Sequence, residues 1–431
     1  MYTNLPKACF RPNLLEMTKS FNSDLELCEC TSHEEIEELA KFTTLIHDEE
    51  AGDMTRGFGV NHPNAERMHW LVHREKKSGD IVSTIALLPW IFEYEGVKLP
   101  AAELGIVGTR KDWRNKGLNR ELMRWFVALI EKNKYLVSHI QGIPYFYRQY
   151  GYDYAIPLET QHYLEFRHIA KLNEKKDPSK VSLRAAKKAD INAIQKWYNK
   201  HTQRYGICTN RSEEVWRYII ASSLKTEGPP VIYIIRYKGE NVGYCRIPLE
   251  GFGDALILGE CSELPPELYP SFFEQLEKIA VSRDKPFIRL NIGTTHPCTV
   301  AALAAGARDA GSYAWQIRLP DPVKFLGAIR RVLNRRIRNS SYTGISKEIR
   351  INCYRFCIHI SIDQGKIISI NDSNGRADMS IPPNLLAPLM FGQKSFDEFK
   401  SLYPDLSGGV IEVDLFKTLF PAMDGFLYPP Y

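Results

Sequence analysis

The chain has 431 residues, 44% of them hydrophobic and 25% charged, with a formal net charge of +5. That length exceeds one ordinary core and predicts about three domains, and the composition excludes a disordered or fibrous chain. No run is long and apolar enough for a membrane span. Met1–Ser23 has no apolar stretch behind Lys7 and Arg11, so a secretory signal is not expected and the cytoplasm is the expected compartment. The segment 1–23 reads as an N-terminal extension. The nine cysteines are scattered. Cys28 with Cys30, and Cys353 with Cys357, suit one face of a strand better than a ligand set, and no metal is expected.

In chain order, the first element is a helix in "CTSHEEIEELAKFTTLIHDEE", with Ser32 as N-cap and Glu35 completing a capping box. Strand-like runs follow: "RMHWLVHRE", "DIVSTIALLPWIFEYEGVKL" with a turn at Glu95–Gly96, and "AAELGIVGT". A helix begins at Gly117, "YLVSHIQGI" reads as a strand, and "YFYRQYGYDYA" as a short helix and turn. These elements make a first mixed α/β unit, 24–170. The charged "KLNEKKDPSK" reads as a linker. A second unit, 181–318, repeats the order of elements from "VSLRAAKKADINAIQKWYNKH" to "PFIRLNIG", which suggests an internal duplication. Where the first unit has its basic, glycine-bearing turn, the second has "SELPPELYPSFF", so catalysis is expected in the first. A third segment, 319–431, opens with the helix "LPDPVKFLGAIRRVLNRRI", its apolar face Phe325, Ile329, Leu333 and Ile337. Strands, two further helices and the tail "FLYPPY" follow.

The stretch "GTRKDWRNKGLNRELMRWF" carries the chemistry. A strand ending at Thr109, a basic turn and a helix opening at Gly117 form a general phosphate cradle, because helix N-termini present unpaired N–H groups and partial positive charge. Arg110, Lys111, Arg114, Lys116 and Arg120 could neutralise a diphosphate and one more phosphate. Leu118, Leu122, Met123, Trp125, Phe126, Leu129 and Ile130 give the helix an apolar stripe. Taken alone, the turn also reads as a solvated, charge-decorated helix start.

With its context the stretch becomes specific. "VGTRKDWRNKGLNRELM" resembles motif A of the GNAT acetyltransferases, R/Q-x-x-G-x-G/A, with Arg114, Asn115, Lys116, Gly117, Leu118 and Asn119 in its six places. Asn119 stands where a small residue is expected. "YFYRQYGYDYA" looks like the family's fYxxxGF signature. The whole layout is similar to the Eis-like (enhanced intracellular survival) acetyltransferases: two GNAT units, the second degenerate, then a sterol-carrier-like α+β domain. The expected fold is therefore α/β, with mixed sheets flanked by helices.

That resemblance implies an acetyl-CoA-dependent N-acetyltransferase that moves an acyl group to a primary amine by direct attack. It implies that the backbone of Val107, Gly108 and Thr109 bonds the pantetheine arm and that Arg114 to Arg120 hold the pyrophosphate. Gly142 and Ile143 belong to the same site, Tyr147 is the general acid, and the Tyr431 carboxylate is the base. Glu103, spaced from Arg114 like the glutamate of histone-acetylating relatives, is the rival base. The implied partners are acetyl-CoA and an amine acceptor, with no nucleic acid, and a homo-oligomer is left open.

Other readings stand beside these. Tyr147 sits in an aromatic cluster and could simply pack. His139 could be a base or a core residue, and Glu103 an ion-pair partner of a nearby arginine. Tyr431 could be a frayed end. Arg330, Arg331, Arg335, Arg336 and Arg338 could mark a polyanion or membrane-surface patch, or a solvated helix. The rival class of function is a non-catalytic protein that binds acyl-CoA or a lipid through the third domain.

Overall fold

The structure is a computed structural model that describes residues 22–172, 180–221, 230–248, 253–373 and 375–428. The expected N-terminal extension up to residue 21, most of the linker and Tyr431 lie outside the described residues. Among the described residues no helix is long and apolar enough to cross a membrane.

The chain opens with strand β1 (Leu25–Cys30) and helix α1 (His33–Ile46), whose Ser32–Glu35 capping box forms as its residues require. The helix does not run on to Glu50. It stops at His47, and α2 (Glu49–Val60) starts afresh with Asp48 as N-cap, its carboxylate accepting from the Ala51 amide. The signal was local: an N-cap aspartate followed by two acids that favour a positive helix end. Strands β2 (His69–Glu75), β3 (Ile81–Tyr94) and β4 (Val97–Thr109) form an antiparallel meander. The turn at Glu95–Gly96 has both residues at positive φ, 42° and 80°, as a two-residue hairpin favours.

Helix α3 (Leu118–Lys132) buries all seven apolar residues of its stripe, packing on β3 and β4. Strand β5 (Val137–Ile140) runs parallel to β4, pairing only Ala101–Glu103 with Val137–His139. After a 3-10 turn, Phe146–Tyr150, the strand β6 (Asp153–Leu164) follows, longer than the turn that the tyrosine-rich sequence suggests.

The two units share one large sheet. The strand Arg308–Arg318, last of the second unit, inserts between β5 and β6 of the first, antiparallel to both. In turn β6 pairs with Ile288–Leu290 of the second unit. Each unit therefore completes its sheet with the last strand of the other. A separate four-stranded sheet holds Ser182–Ala185, Pro230–Tyr237, Glu240–Pro248 and Glu260–Cys261, while Ile207–Asn210 and Leu256–Leu258 join the large sheet.

The third segment has a five-stranded sheet and its own helices. Its first helix is broken at Ile329 into Pro322–Ala328 and Arg330–Arg338, yet Phe325, Ile329, Leu333 and Ile337 are all buried. Three of its arginines close the contact with the first unit. Arg331 donates to the Gly96 carbonyl, Arg335 and Arg336 pair with Glu95, and Arg336 also reaches the Leu419 carbonyl. These cations clamp the β3–β4 turn rather than forming a free basic patch. Cys353 lies beyond its strand, in the turn before Cys357, so the two do not share a strand face.

Candidate active site

The site is made where β4 and β5 part. Glu103 and His139 are their last paired residues, and β4 then bulges: Thr84 of β3 faces Gly108 while Ala86 faces Gly105, leaving two residues of β4 out of register. One of them, Ile106, has φ 50°, a strained value for a β-branched residue. The bulge re-aims this backbone into a cleft of about 280 Å³. The cleft is lined by Glu103 to Val107, by Ile140 at the end of β5 with Gln141 and Ile143 beyond it, by Tyr147, and by His47, Asp48, Ala51, Met54 and Phe58 from the α1–α2 corner.

Val107 therefore lines the cleft as expected, with Leu104, Gly105 and Ile106, which sequence reading passed over. Gly108 and Thr109 do not line it. Gly108 has rejoined β3, its carbonyl accepts the Ser83 hydroxyl at 3.0 Å, and the Thr109 carbonyl takes Arg114 Nε at 3.2 Å. The α2 residues were also missed; their one signal was the Asp48 cap.

Glu103 is buried. Its Oε2 accepts the Trp90 indole N–H at 2.6 Å and lies 3.6 Å from His139 Nε2. His139 is wedged between Phe92 and Trp315, ring centroids 4.7 and 4.9 Å away, and its Nδ1 finds no partner among the described residues. The group set beside the Glu103 carboxylate here is His139, the histidine singled out on the neighbouring strand.

Tyr147 is 5% exposed and opens onto the same cleft. Burial, reinforced by Tyr152, Tyr150 and Tyr313, pushes its phenol well above the ordinary value, so it stays protonated. The ring rests edge-on against Phe146 and lies over Gly142, where any Cβ would overlap it. Gly142 is thus needed for space rather than for a positive φ. Ile143 is exposed at the rim.

The basic turn lies at the start of α3. Asn115 and Gly117 both take positive φ, 61° and 82°, which folds the turn so that the first amides of α3 face out. A Cβ on Gly117 would meet no protein atom, so the glycine serves φ and leaves the space in front of the amides clear. A cavity of about 510 Å³ there is lined by Lys116, Gly117, Leu118, Arg120, Glu121 and Arg124, with Asn22 and Ser23.

The five cations do not act alike. Arg110 is held by Asp112 at 2.8 Å, with Glu75 and Asp80 nearby, and is not available. Arg114 bonds the Thr109 carbonyl, and Lys116 sits 4.2 Å over the Trp113 ring. Arg120 lines the cavity, joined by Arg124 one turn on, which sequence reading missed. Asn119 turns its Oδ1 inward, where it has no partner among the described residues. Glu121, buried on the first turn, bonds His73 at 3.2 Å.

The chain's tail joins the same large sheet. Gly425–Phe426 pairs in parallel with Ile207–Cys208, which runs antiparallel to the end of β3. Tyr428 is fully buried, its hydroxyl bonded to His201 Nε2 and the Ile292 carbonyl.

The chain is similar to known proteins in sequence over part of its length and in fold over nearly all of it. Residues 49–155 match the model of the acetyltransferase (GNAT) domain. No curated protein matches the chain. Among solved structures, a probable N-acyltransferase from Enterococcus faecalis superposes with TM-score 0.68 at 15% identity, over 94% of this chain and 100% of its own. A GCN5-related N-acetyltransferase from Anabaena variabilis gives 0.67 at 15%, over 93% and 99%. Eis1 from Mycobacterium abscessus gives 0.62 at 14%, over 94% and 100%. At these identities the structures speak for a shared fold along nearly the whole chain. Residues 49–155 are a GNAT acetyltransferase domain, and the protein that carries them is an acyltransferase.

Proposed function

We propose that the protein moves an acetyl group from acetyl-CoA to a primary amine by direct attack within a ternary complex. The observation that supports this reading is the meeting of Glu103, Tyr147 and the bulged backbone of β4 in one cleft, with the basic turn at the start of α3 beyond it. Acetyl-CoA supplies an activated thioester; the chain's own residues position it and move protons.

In this reading the amides of α3's first turn, from Gly117 to Asn119, take the pyrophosphate, and Lys116, Arg120 and Arg124 set the field around it. Arg114 and Asn115 shape the turn rather than touch the ligand. The gap beside Leu104–Val107 leaves backbone groups facing the cleft that an extended pantetheine arm would meet as an added strand would. Of the three residues first expected to do this, Val107 retains the role, while Gly108 and Thr109 frame it.

Tyr147 delivers a proton to the departing sulfur. A phenol and a thiol differ by about 1.5 units in ordinary pKa, and a buried phenol stays protonated until the thiolate forms. Glu103 takes a proton from the acceptor's ammonium, directly or through water, and so frees the neutral amine that attacks, with Trp90 and His139 beside its carboxylate. The Tyr431 carboxylate is the rival base.

The test is thiol release from acetyl-CoA with a panel of primary amines, from alkyl diamines to lysine peptides and amino sugars. We expect at least one to accelerate release and to gain an acetyl group by mass spectrometry. A protein that binds acetyl-CoA yet responds to no amine would sink the reading.

A further inference from the structure

Behind the Tyr147 ring lies a group of bonds that the acyl-transfer reading leaves unused. Gln316 sits on the strand Arg308–Arg318, contributed by the end of the second unit, where it pairs with Ile140 of β5 and Tyr154 of β6. It is 1% exposed. Its Nε2 donates to two consecutive carbonyls, Gly142 at 2.8 Å and Ile143 at 3.2 Å. From the same strand the Tyr313 hydroxyl also donates to the Gly142 carbonyl and lies 3.4 Å from Gln316 Nε2.

These carbonyls belong to the segment linking β5 to the turn that carries Tyr147. The first of them is the residue on whose Cα the Tyr147 ring rests, with no room for a Cβ. The next residue before the turn, Tyr145, has φ 67°, a value that holds only where its surroundings impose it. Gln316 Oε1 has no partner among the described residues. Its amide is therefore oriented chiefly by the two carbonyls, since turning it over would set oxygen against oxygen.

We propose that Gln316 and Tyr313 are positioning residues for Tyr147: from the second unit's last strand they fix the Gly142–Ile143 backbone, and through it the place of the phenol in the cleft. The proposal rests on Tyr147 as the acid of the reaction. It makes the acid of the first unit depend on a strand of the second. A proton donor acts only within hydrogen-bond reach of the atom it protonates, and misplacement by about 1 Å can cost about a hundredfold in rate.

The test is a double-mutant cycle on the full chain, following thiol release from acetyl-CoA with the best amine of the panel and, in parallel, with water as acceptor. The variants are Gln316→Leu, Tyr313→Phe, Tyr147→Phe and the combinations with Tyr147→Phe. Gln316→Leu is expected to lower kcat about tenfold or more while leaving KM for acetyl-CoA within about twofold. On the Tyr147→Phe background it is expected to add nothing. Tyr313→Phe, which removes a single hydroxyl, should show the same pattern more weakly and carries the test if Gln316→Leu does not fold.

Equal fold-losses with and without the Tyr147 hydroxyl would mean a general structural role and overturn the proposal. So would unchanged kcat in both single variants beside an impaired Tyr147→Phe. A fully active Tyr147→Phe protein would instead remove the acid role itself, and with it any reason for a clamp.

Discussion

The two units repeat a parallel pair of strands that then separate, and they treat the gap in opposite ways. In the first, β4 and β5 part after Glu103 and His139, and the gap is a cleft lined by a bulged backbone and Tyr147. In the second, Leu256–Leu258 and Ile288–Leu290 part in the same manner, but the space beyond them is bridged. His296 Nε2 bonds the Cys261 carbonyl at 2.9 Å, and the tail's Tyr428 bonds the Ile292 carbonyl and His201. Next to it Glu260 forms a fully buried pair with Arg211 through both terminal guanidinium nitrogens, at 3.0 and 2.9 Å, and takes the Tyr244 hydroxyl as well. A splayed strand pair is thus not yet a site. The first unit leaves its gap open as a cleft, whereas the second closes its own with side chains and the chain's tail.

Several experiments can break or sharpen that contrast. The largest effect is expected from Tyr147→Phe, which keeps the ring and removes the proton: a fall in kcat of about 100- to 1,000-fold with little change in KM for acetyl-CoA, read by steady-state thiol release.

Next comes the buried pair of the second unit. Arg211→Met leaves Glu260 charged and without its bidentate partner, and the expected loss is about 3–5 kcal/mol of stability, measured by denaturant unfolding, with kcat per folded molecule unchanged. Burial pushes the Glu260 carboxyl up, but Arg211 and Arg246 outweigh it and hold it below its ordinary value. Its contribution is therefore complete above the unfolded value of about 4.3 and is lost as pH falls through the lower folded value. The melting temperature of the native chain should fall on that account only below about pH 4.3, and Arg211→Met should lose that component. A catalytic defect in this variant at full folding would contradict a purely structural second gap.

Glu103→Gln should lower kcat/KM about 10- to 100-fold with folding intact, because glutamine can still accept the Trp90 N–H. Full activity would pass the base role to Tyr431 or to water.

At the basic turn, Arg120→Ala with Arg124→Ala should raise KM for acetyl-CoA by less than about tenfold, more at low salt than at high, with kcat unchanged. The smallest signal is a stoichiometry: calorimetry should find one acetyl-CoA per chain, and His296→Ala should not raise it to two.

Much of the first unit is legible without coordinates. The Ser32 cap, the Glu95–Gly96 turn, the α3 stripe and Gly117 are set by neighbours within a few residues, and such rules are local. Glu103 and Tyr147 are visible as residue types in the right order. What escapes is whatever depends on pairing across the chain. The bulge at Ile106 opposite β3 and the carboxylates of Glu75 and Asp80 gathered beside Arg110 needed the folded backbone. The arginine-rich helix misled for the same reason: its partner, Glu95, is some 240 positions away.

By itself, then, the sequence determined the helices, the main strands, the basic turn and the residues able to do acid–base chemistry, because periodicity, capping and glycine conformations act over one or two turns of chain. Only the tertiary structure decided that the two units exchange their last strands, that Glu103 meets His139 and Trp90, and that Gln316 stands behind Tyr147. Those contacts join segments tens to hundreds of residues apart, and strand partners are chosen by the packing of whole sheets rather than by any local run of residues.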